Sequence, residues 1–195
     1  MSLIQSRAID PWRLSGSSKS LAVSVLAVVA GSLLLVASAR AQVPMWPVPM
    51  TMQTLAVILI GAWCGPRLGG LVLAAYLAEG ALGLPVFSGT PERGVGLAYM
   101  AGPTGGFLAG FLAAAVLVGA AVQRGWARSW TGAFGVGLAA HAVVLAAGAA
   151  WLAPFVGLDQ AIAVGVVPFI VGSLLKAGLA AAILKAIPGR RNGAA

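Results

Sequence analysis

Long apolar runs, separated by short polar, glycine-rich or proline-rich segments, set the pattern of the chain. Six runs are present: Ser20–Ser38, Thr51–Cys64, Leu68–Leu84, Thr104–Val122, Thr131–Ala153 and Pro168–Ile187. A helix that crosses the hydrocarbon core of a bilayer needs about 20 predominantly apolar residues. The pattern therefore predicts an all-α, polytopic membrane protein with six transmembrane helices.

The second and third runs, Thr51–Cys64 and Leu68–Leu84, are short for a membrane crossing, which takes about 17–25 residues. They allow two interpretations. Each run begins inside its flanking loop and crosses fully, or the pair forms a re-entrant hairpin. We favour two full crossings.

Composition agrees with a membrane protein and leaves no residues for a second, soluble domain. Of the 195 residues, 60% are hydrophobic and 8% are charged, and the mean hydropathy is +0.98. Soluble domains carry about 25% charged residues. We therefore expect a cytoplasmic N-terminal segment at 1–19, a six-helix membrane domain at 20–187 and a cytoplasmic tail at 188–195.

The placement of the basic residues predicts the orientation. With both termini in the cytoplasm, the outer loops keep only Arg40 and Arg93, as the positive-inside rule requires. The inner segments then carry nine basic residues: Arg7, Arg13, Lys19, Arg67, Arg124, Arg128, Lys185, Arg190 and Arg191. An alternative is that the first run is a signal peptide, because Ala37-Ser38-Ala39 resembles a cleavage site. Its apolar run is long for a signal peptide, and its removal would leave an odd number of spans.

The charge and the reactive side chains exclude several classes of function. The net charge of +8 comes from basic residues that punctuate apolar runs and form no stripe, so we expect no nucleic-acid partner. One cysteine, one histidine and four acidic residues are few for a metal centre. No phosphate-binding loop of the G-x-x-x-x-G-K-[ST] type is present. No Ser-His-Asp set is credible around His141. We expect neither an enzyme nor a cofactor.

Three segments on the predicted outer side, Arg40–Met50, Pro85–Pro103 and Ala153–Val167, are too apolar for solvated linkers. The first carries three prolines, which fix φ and favour a stiff, extended chain. The third contains a stretch suited to a short surface helix. We expect all three to fold over the outer mouth of the bundle.

Lys176 lies deep within the last apolar run, where a lysine costs roughly 3 kcal/mol on insertion scales. Such a residue usually faces a bundle interior or an anionic partner; the alternative is that it snorkels to the interface. Ser173 precedes it by one turn and shares its helix face. The pair predicts half of a site for a small anionic molecule.

Other polar and small residues leave alternatives open. Glu79 either reaches interfacial water or pairs with Lys176, and His141 is either a packed residue or part of a cavity wall. Small residues at four-residue spacing, Ala27 with Gly31 and the ladder Gly102, Gly106 and Gly110, allow close helix approach. Trp46, Phe87, Tyr99 and Phe169 lie in or beside the outer segments, where aromatic residues form either an interfacial belt or the walls of a pocket.

Several blocks in order resemble the BioY family, the biotin-specific substrate-binding (S) components of energy-coupling factor (ECF) transporters. They are Gln42–Thr54 (QVPMWPVPMTMQT), Gly65–Gly69 (GPRLG), Gly80–Phe87 (GALGLPVF), Leu97–Phe107 (LAYMAGPTGGF) and Pro168–Lys176 (PFIVGSLLK). The resemblance implies six membrane helices with both termini inside and a biotin pocket open to the outside. It also implies a bacterial-type cell (inner) membrane, and a T component and two ATPase subunits as partners.

The last block carries the family's site positions. The family usually reads G-D-x-x-K there; the lysine matches at Lys176, whereas Ser173 stands at the aspartate position. The chemistry of biotin fits these and neighbouring residues. Lys176 would neutralise the carboxylate, the polar groups of Ser173, Thr51, Gln53 and Tyr99 would bind the ureido ring, and Phe87, Phe169 and Trp46 would cover apolar surface.

The mechanism expected from the resemblance is that biotin enters from outside, the loops close, and the T component engages the small-residue face. Ala27 and Gly31 are the candidate T-component contact. The alternatives are an S component for another carboxylated vitamin, an autonomous secondary transporter that uses Glu79 or His141, and a membrane scaffold that transports nothing.

Overall fold

A computed structural model describes residues 18–186, with side chains from residue 21 onward. Four of the arginines predicted to lie on the inner side are outside the described residues: Arg7, Arg13, Arg190 and Arg191. The elements are α1 (Ser18–Arg40), β1 (Gln42–Val43), β2 (Met50–Thr51), α2 (Gln53–Ala81), α3 (Gly96–Met100), α4 (Gly105–Gln123), α5 (Trp130–Val156), α6 (Leu158–Gly165) and α7 (Phe169–Ala186).

The predicted helical membrane fold is confirmed at the level of helix content. Within the described part, α1, α2, α4, α5 and α7 are long and apolar enough to cross a membrane, which makes five candidate spans where the sequence predicted six. The difference arises because α2 contains both the second and the third predicted runs. Among residues 18–186, strands occur only as a short antiparallel ribbon that pairs Gln42 with Thr51 and Val43 with Met50.

Helix α2 is a hairpin of two helical arms. Gly65 has φ 75° and ψ 177°, which interrupts the helix immediately before Pro66. A proline disfavours helical geometry in the residue before it, and glycine tolerates a positive φ. Gln53 Nε2 lies 2.7 Å from the Tyr76 hydroxyl, whereas a straight helix would separate the two residues by roughly 35 Å. The arms 53–64 and 66–81 therefore run antiparallel.

Glycines allow α4 to lie directly against this hairpin and against α5. A Cβ atom placed on Gly61 would lie 2.5 Å from the carbonyl oxygen of Ala115. A Cβ atom on Gly110 would lie 2.9 Å from Cα of Val144. Gly106 and Gly110 of the predicted ladder thus pack on α5, in the way that small residues bring membrane helices together, whereas Gly102 lies before the start of α4 and contacts only the preceding turn.

The connections gather at two opposite ends of the bundle. At one end, Gly65 lies close to the Gln123 side chain, and Lys185 Nζ donates to the Ala127 carbonyl at 2.8 Å. At the other end, Arg40 donates to the carbonyls of Thr90 (3.1 Å) and Pro85 (2.6 Å). Because α1 ends beside the second group, the start of α1 and the end of α7 lie at the same end of the bundle.

The segments at the Arg40 end form a folded cap. Arg93 donates to the carbonyls of Pro47 and Met45, both at 3.1 Å, and thereby joins two of the predicted outer segments. The expected short helix in the third segment is confirmed as α6. Helix α3 was not predicted, because glycine and proline dominate the sequence around it.

Candidate functional site

A cavity lies beneath this cap, between the first arm of α2 and helices α3, α4, α5 and α7. Together with the open space at its mouth it holds about 570 Å³ that no protein atom fills, but the centres of water-sized molecules can occupy only about 50 Å³ of it, so the cavity is narrow in this arrangement. The wall is mostly apolar and contains hydroxyl, amide, imidazole and ammonium groups. This composition is typical of a site for one small organic molecule.

Lys176 is the cation of the cavity. Its side chain is 9% exposed, and Nζ donates to the carbonyl of Thr51 at 2.7 Å and to the hydroxyl of Thr54 at 3.1 Å. Both partners are neutral, so neither of them neutralises the ammonium that lines the cavity. Ser173 lies one turn earlier on α7, is also buried, and lines the same wall. The geometry favours the interior placement of Lys176 over the snorkelling alternative.

A hydrogen-bonded chain fixes the amide of Gln53 at the start of α2. Gln53 Nε2 donates to the Tyr76 hydroxyl at 2.7 Å, and that hydroxyl donates to the Val86 carbonyl at 3.0 Å. Thr51 Oγ1 donates to Gln53 Oε1 at 3.2 Å. Buried polar groups that are all partnered hold one geometry. The network therefore ties the two arms of α2 and the cap together at the cavity wall.

Aromatic rings close the upper part of the cavity. Tyr99 lines it and donates its hydroxyl to the Ser88 carbonyl at 2.7 Å. Burial raises the pKa of the Tyr99 hydroxyl above its ordinary value, so the group stays a protonated donor. Phe169 also lines the cavity, with its ring centroid 6.2 Å from that of Phe107. Phe87 lies behind the wall, stacked on Tyr99 at 5.0 Å.

Trp46 lies outside the cavity lining. Its side chain is 82% exposed, and the guanidinium carbon of Arg93 lies 5.7 Å from its ring centroid. The structure therefore brings together six of the eight predicted site residues and leaves Phe87 behind the wall and Trp46 on the surface of the cap. The six that line the cavity are Thr51, Gln53, Tyr99, Phe169, Ser173 and Lys176.

The sequence also left several lining residues unassigned. Thr54 follows Gln53 directly, and its position next to a predicted site residue was a usable signal. Phe107 and Phe111 lie on α4 within an apolar run, where nothing in the sequence separates a cavity-facing ring from a lipid-facing one. His141 lines the cavity from α5, and its Nδ1 lies 2.9 Å from the Gly137 carbonyl. Of its two predicted placements, a packed residue or part of a cavity wall, the structure has His141 in the cavity wall.

Two further predicted residues have partners within the chain. Glu79 accepts a hydrogen bond from Ser32 on α1, so the proposed pair with Lys176 is not formed. Gly31 is buried, and a Cβ atom placed on it would lie 2.5 Å from Cγ1 of Val72. Ala27, one turn earlier on α1, is only half-buried. Of this small-residue pair, Ala27 is the member that a partner protein could reach.

The donor set of the cavity favours an anionic organic ligand. A lysine with neutral partners can neutralise one carboxylate, and hydroxyl and amide groups can bind a polar ring. Within residues 18–186, no three His, Cys, Asp or Glu side chains are close enough to hold a metal ion.

Comparison with known proteins agrees with this geometry. The model of the BioY family matches residues 13–192. A probable biotin transporter BioY from Pyrococcus horikoshii is 40% identical over 151 residues, which cover 77% of this chain and 87% of that protein. The biotin transporter BioY from Thermotoga maritima is 37% identical over 151 residues, covering 77% and 86%.

A solved structure has the same fold. The crystal structure of the S-component for biotin from an ECF-type ABC transporter superimposes with a TM-score of 0.77 and 25% sequence identity. The alignment covers 89% of this chain and 96% of that one.

Proposed function

Since the chain belongs to the BioY family, we propose that it is the biotin-binding S component of an ECF-type transporter, a membrane protein that binds extracellular biotin and delivers it to the cytoplasm. The observation that carries this proposal is Lys176, a buried ammonium with neutral partners that lines a mostly apolar cavity. The function is transport, and the chemistry at the site is recognition of a carboxylate and a polar ring.

We propose one arrangement of the ligand. The ammonium of Lys176 pairs with the carboxylate, a charge-assisted hydrogen bond that is roughly twice as strong as a neutral one. Ser173, Thr51, Gln53 and Tyr99 supply polar contacts.

Aromatic side chains complete the arrangement. Phe169 covers the thiophane and alkyl surface, and Phe87 supports the Tyr99 ring from behind. Trp46 reaches the ligand only if the cap closes further, because its ring is exposed in the present arrangement.

ATP-driven transport into the cell requires ATPases on other chains, because this sequence contains no phosphate-binding loop. The proposed partners are a T component and two ATPase subunits. Uptake of radiolabelled biotin by cells that express this chain with or without such a module tests the proposal. Biotin accumulation that needs the ATPases supports it. Equal uphill uptake without them favours a secondary transporter, and no uptake in either case favours a scaffold.

A bulky residue at Ala27 is expected to impair uptake by the full complex and to spare biotin binding by the isolated chain. A small, partly exposed residue permits close approach of another helix, and a large side chain prevents it. Ala27→Trp should lower co-purification of the T component and the initial rate of uptake. Leu26→Trp, on a neighbouring exposed position of α1, is the matched control. Unchanged assembly in the Ala27 variant would place the T-component contact elsewhere.

The proposed topology puts Arg67 and Arg128 in the cytoplasm and Thr90 and Asp159 outside. The reason is the excess of basic residues at one end of the bundle, as the positive-inside rule describes. The test places single cysteines at these positions in a chain with Cys64 replaced, and treats intact cells with a membrane-impermeant maleimide. Position 159 should react and positions 67 and 128 should not. Position 90 should react more slowly than 159, because Thr90 is buried in the cap. Labelling of position 128 in intact cells would reverse the topology.

A further inference from the structure

His141 carries an unused hydrogen-bonding atom at the cavity. The residue is 4% exposed and lines the cavity from α5. Its Nε2 atom is shielded from solvent and has no hydrogen-bond partner among the described residues. Leaving a buried polar atom unpaired is unfavourable, so such an atom in a binding cavity points to a ligand group that pairs with it.

The chemistry of Nε2 follows from the other ring nitrogen. Nδ1 lies 2.9 Å from the Gly137 carbonyl oxygen, which can only accept, so Nδ1 carries the hydrogen. A second positive charge beside Lys176 would be unfavourable in a cavity whose described lining contains no carboxylate. The ring is therefore neutral, and Nε2 presents a lone pair. It accepts a hydrogen bond and donates none.

Two other acceptors at this cavity are already engaged. The Thr51 carbonyl accepts from Lys176, and Gln53 Oε1 accepts from the Thr51 hydroxyl. A carboxylate ligand offers acceptors only, so it cannot satisfy Nε2. An N–H group of a neutral ligand ring can do so.

The placement of the two groups separates their roles. Hydrogen bonds to Thr51 and Thr54 hold the Lys176 ammonium at the α2 side of the cavity, whereas His141 projects from α5. Helices α5 and α7 meet where Gly137 packs on Ala177, with a Cβ on Gly137 only 3.1 Å from the Ala177 Cβ. Because α5 and α7 run antiparallel, His141, one turn beyond Gly137, lies at the level of Ser173, one turn before Ala177 and on the same face as Lys176.

We infer that His141 is a specificity-determining residue, whose Nε2 accepts a hydrogen bond from one ureido N–H of biotin while Lys176 binds the carboxylate. This inference rests on the proposed function. It assigns the ureido ring to the α5 wall. It also predicts that the two ureido N–H groups are unequal, because one imidazole atom can accept from only one of them.

The test compares biotin with its two cyclic-carbamate analogues, in each of which an oxygen replaces one ureido N–H. Isothermal titration of the purified full chain should show that one analogue binds about 10- to 100-fold more weakly than the other, because its oxygen faces the Nε2 lone pair. His141→Phe should weaken biotin binding by a similar factor and remove most of the difference between the analogues. His141→Gln supplies an acceptor at this position. It should recover part of the affinity for biotin and part of the difference between the two analogues.

Two controls separate the role of His141 from general disruption. Ala142→Leu, at the neighbouring exposed position of α5 outside the cavity lining, should change neither affinity nor discrimination. The ratio of affinities for biotin and biotin amide should stay unchanged in His141→Phe, because that ratio reports Lys176. If His141→Phe does not fold, the affinities of the two analogues for the native chain and for His141→Gln still show whether His141 accepts a hydrogen bond from the ligand.

The failures are distinguishable. If the native chain binds biotin and both carbamates equally, or if His141→Phe keeps the native discrimination, His141 is a packing residue and the inference is wrong while the proposed function stands. If the native chain does not bind biotin, the proposed function fails and this inference fails with it.

Discussion

Lys176→Met is expected to yield a folded protein that binds biotin about 30- to several-thousand-fold more weakly than the native chain. Removing one partner of a buried, charged hydrogen bond typically costs about 2–5 kcal/mol, because the other charge is left unpaired. Methionine keeps the apolar stem and removes a charge that opposes membrane insertion. Isothermal titration of the purified variant measures the loss.

The structure shows why this variant needs a second ligand as a control. Lys176 also donates to the Thr51 carbonyl at the cap, so its loss can loosen the cap as well as the carboxylate contact. Biotin amide, which lacks the negative charge, should bind the native chain weakly and discriminate far less between native and variant. If both ligands lose affinity equally in Lys176→Met, the lysine acts on the cap and not on the carboxylate.

A companion substitution examines the departure at Ser173. Ser173→Asp restores the residue usual in the family beside Lys176 and should be tolerated, with equal or tighter binding of the ureido ring. A large loss of affinity would mean that the added carboxylate neutralises the ammonium that the ligand needs.

Gly119→Val is expected to destabilise the bundle by about 3 kcal/mol or more, at the upper end of the range for overpacking. A Cβ atom on Gly119 would lie 2.4 Å from the Pro66 nitrogen and 2.5 Å from the Gly65 carbonyl carbon. Backbone cannot move aside as a flexible side chain can, so α4 must separate from the turn of the α2 hairpin. The melting temperature in detergent should fall by roughly 6–12 °C, using the scaling for chains of this length.

Gly135→Val provides the matched control. Both glycines lie within helices, so the intrinsic helix propensity changes equally, but a Cβ atom on Gly135 meets nothing within 4 Å. This variant should melt within a few degrees of the native protein. Equal melting temperatures for the two variants would contradict the close packing of α4 on the hairpin.

Much of the fold could be predicted because hydrophobic runs and glycine–proline breaks are local signals. The runs gave α1, α4, α5 and α7 within a few residues of their observed limits, and the Gly65-Pro66 break separated the arms of α2. The depth of each arm in the bilayer does not follow from the sequence. The arms have 12 and 16 residues, and such short helices suit either a full crossing or a re-entrant hairpin.

The site was predictable only in part. Lys176 and Ser173 were identifiable because polar residues are costly within an apolar run. The hydrogen-bond partners of Lys176, Thr51 and Thr54, lie more than 120 residues away in the chain, and such pairings depend on tertiary packing. Trp46 was predicted as a wall residue but lies outside the cavity lining, because residue type does not encode which way the cap segment faces. His141 left two placements open for the same reason.

The most direct measurement of the central claim is isothermal titration of the purified, full-length chain in detergent with biotin, without any partner subunit. We expect saturable binding of one biotin per chain, with a tighter Kd than for biotin amide or for another carboxylated vitamin such as pantothenate. Absence of binding, or tighter binding of a different carboxylated vitamin, would contradict the assignment of this chain as the biotin-binding component.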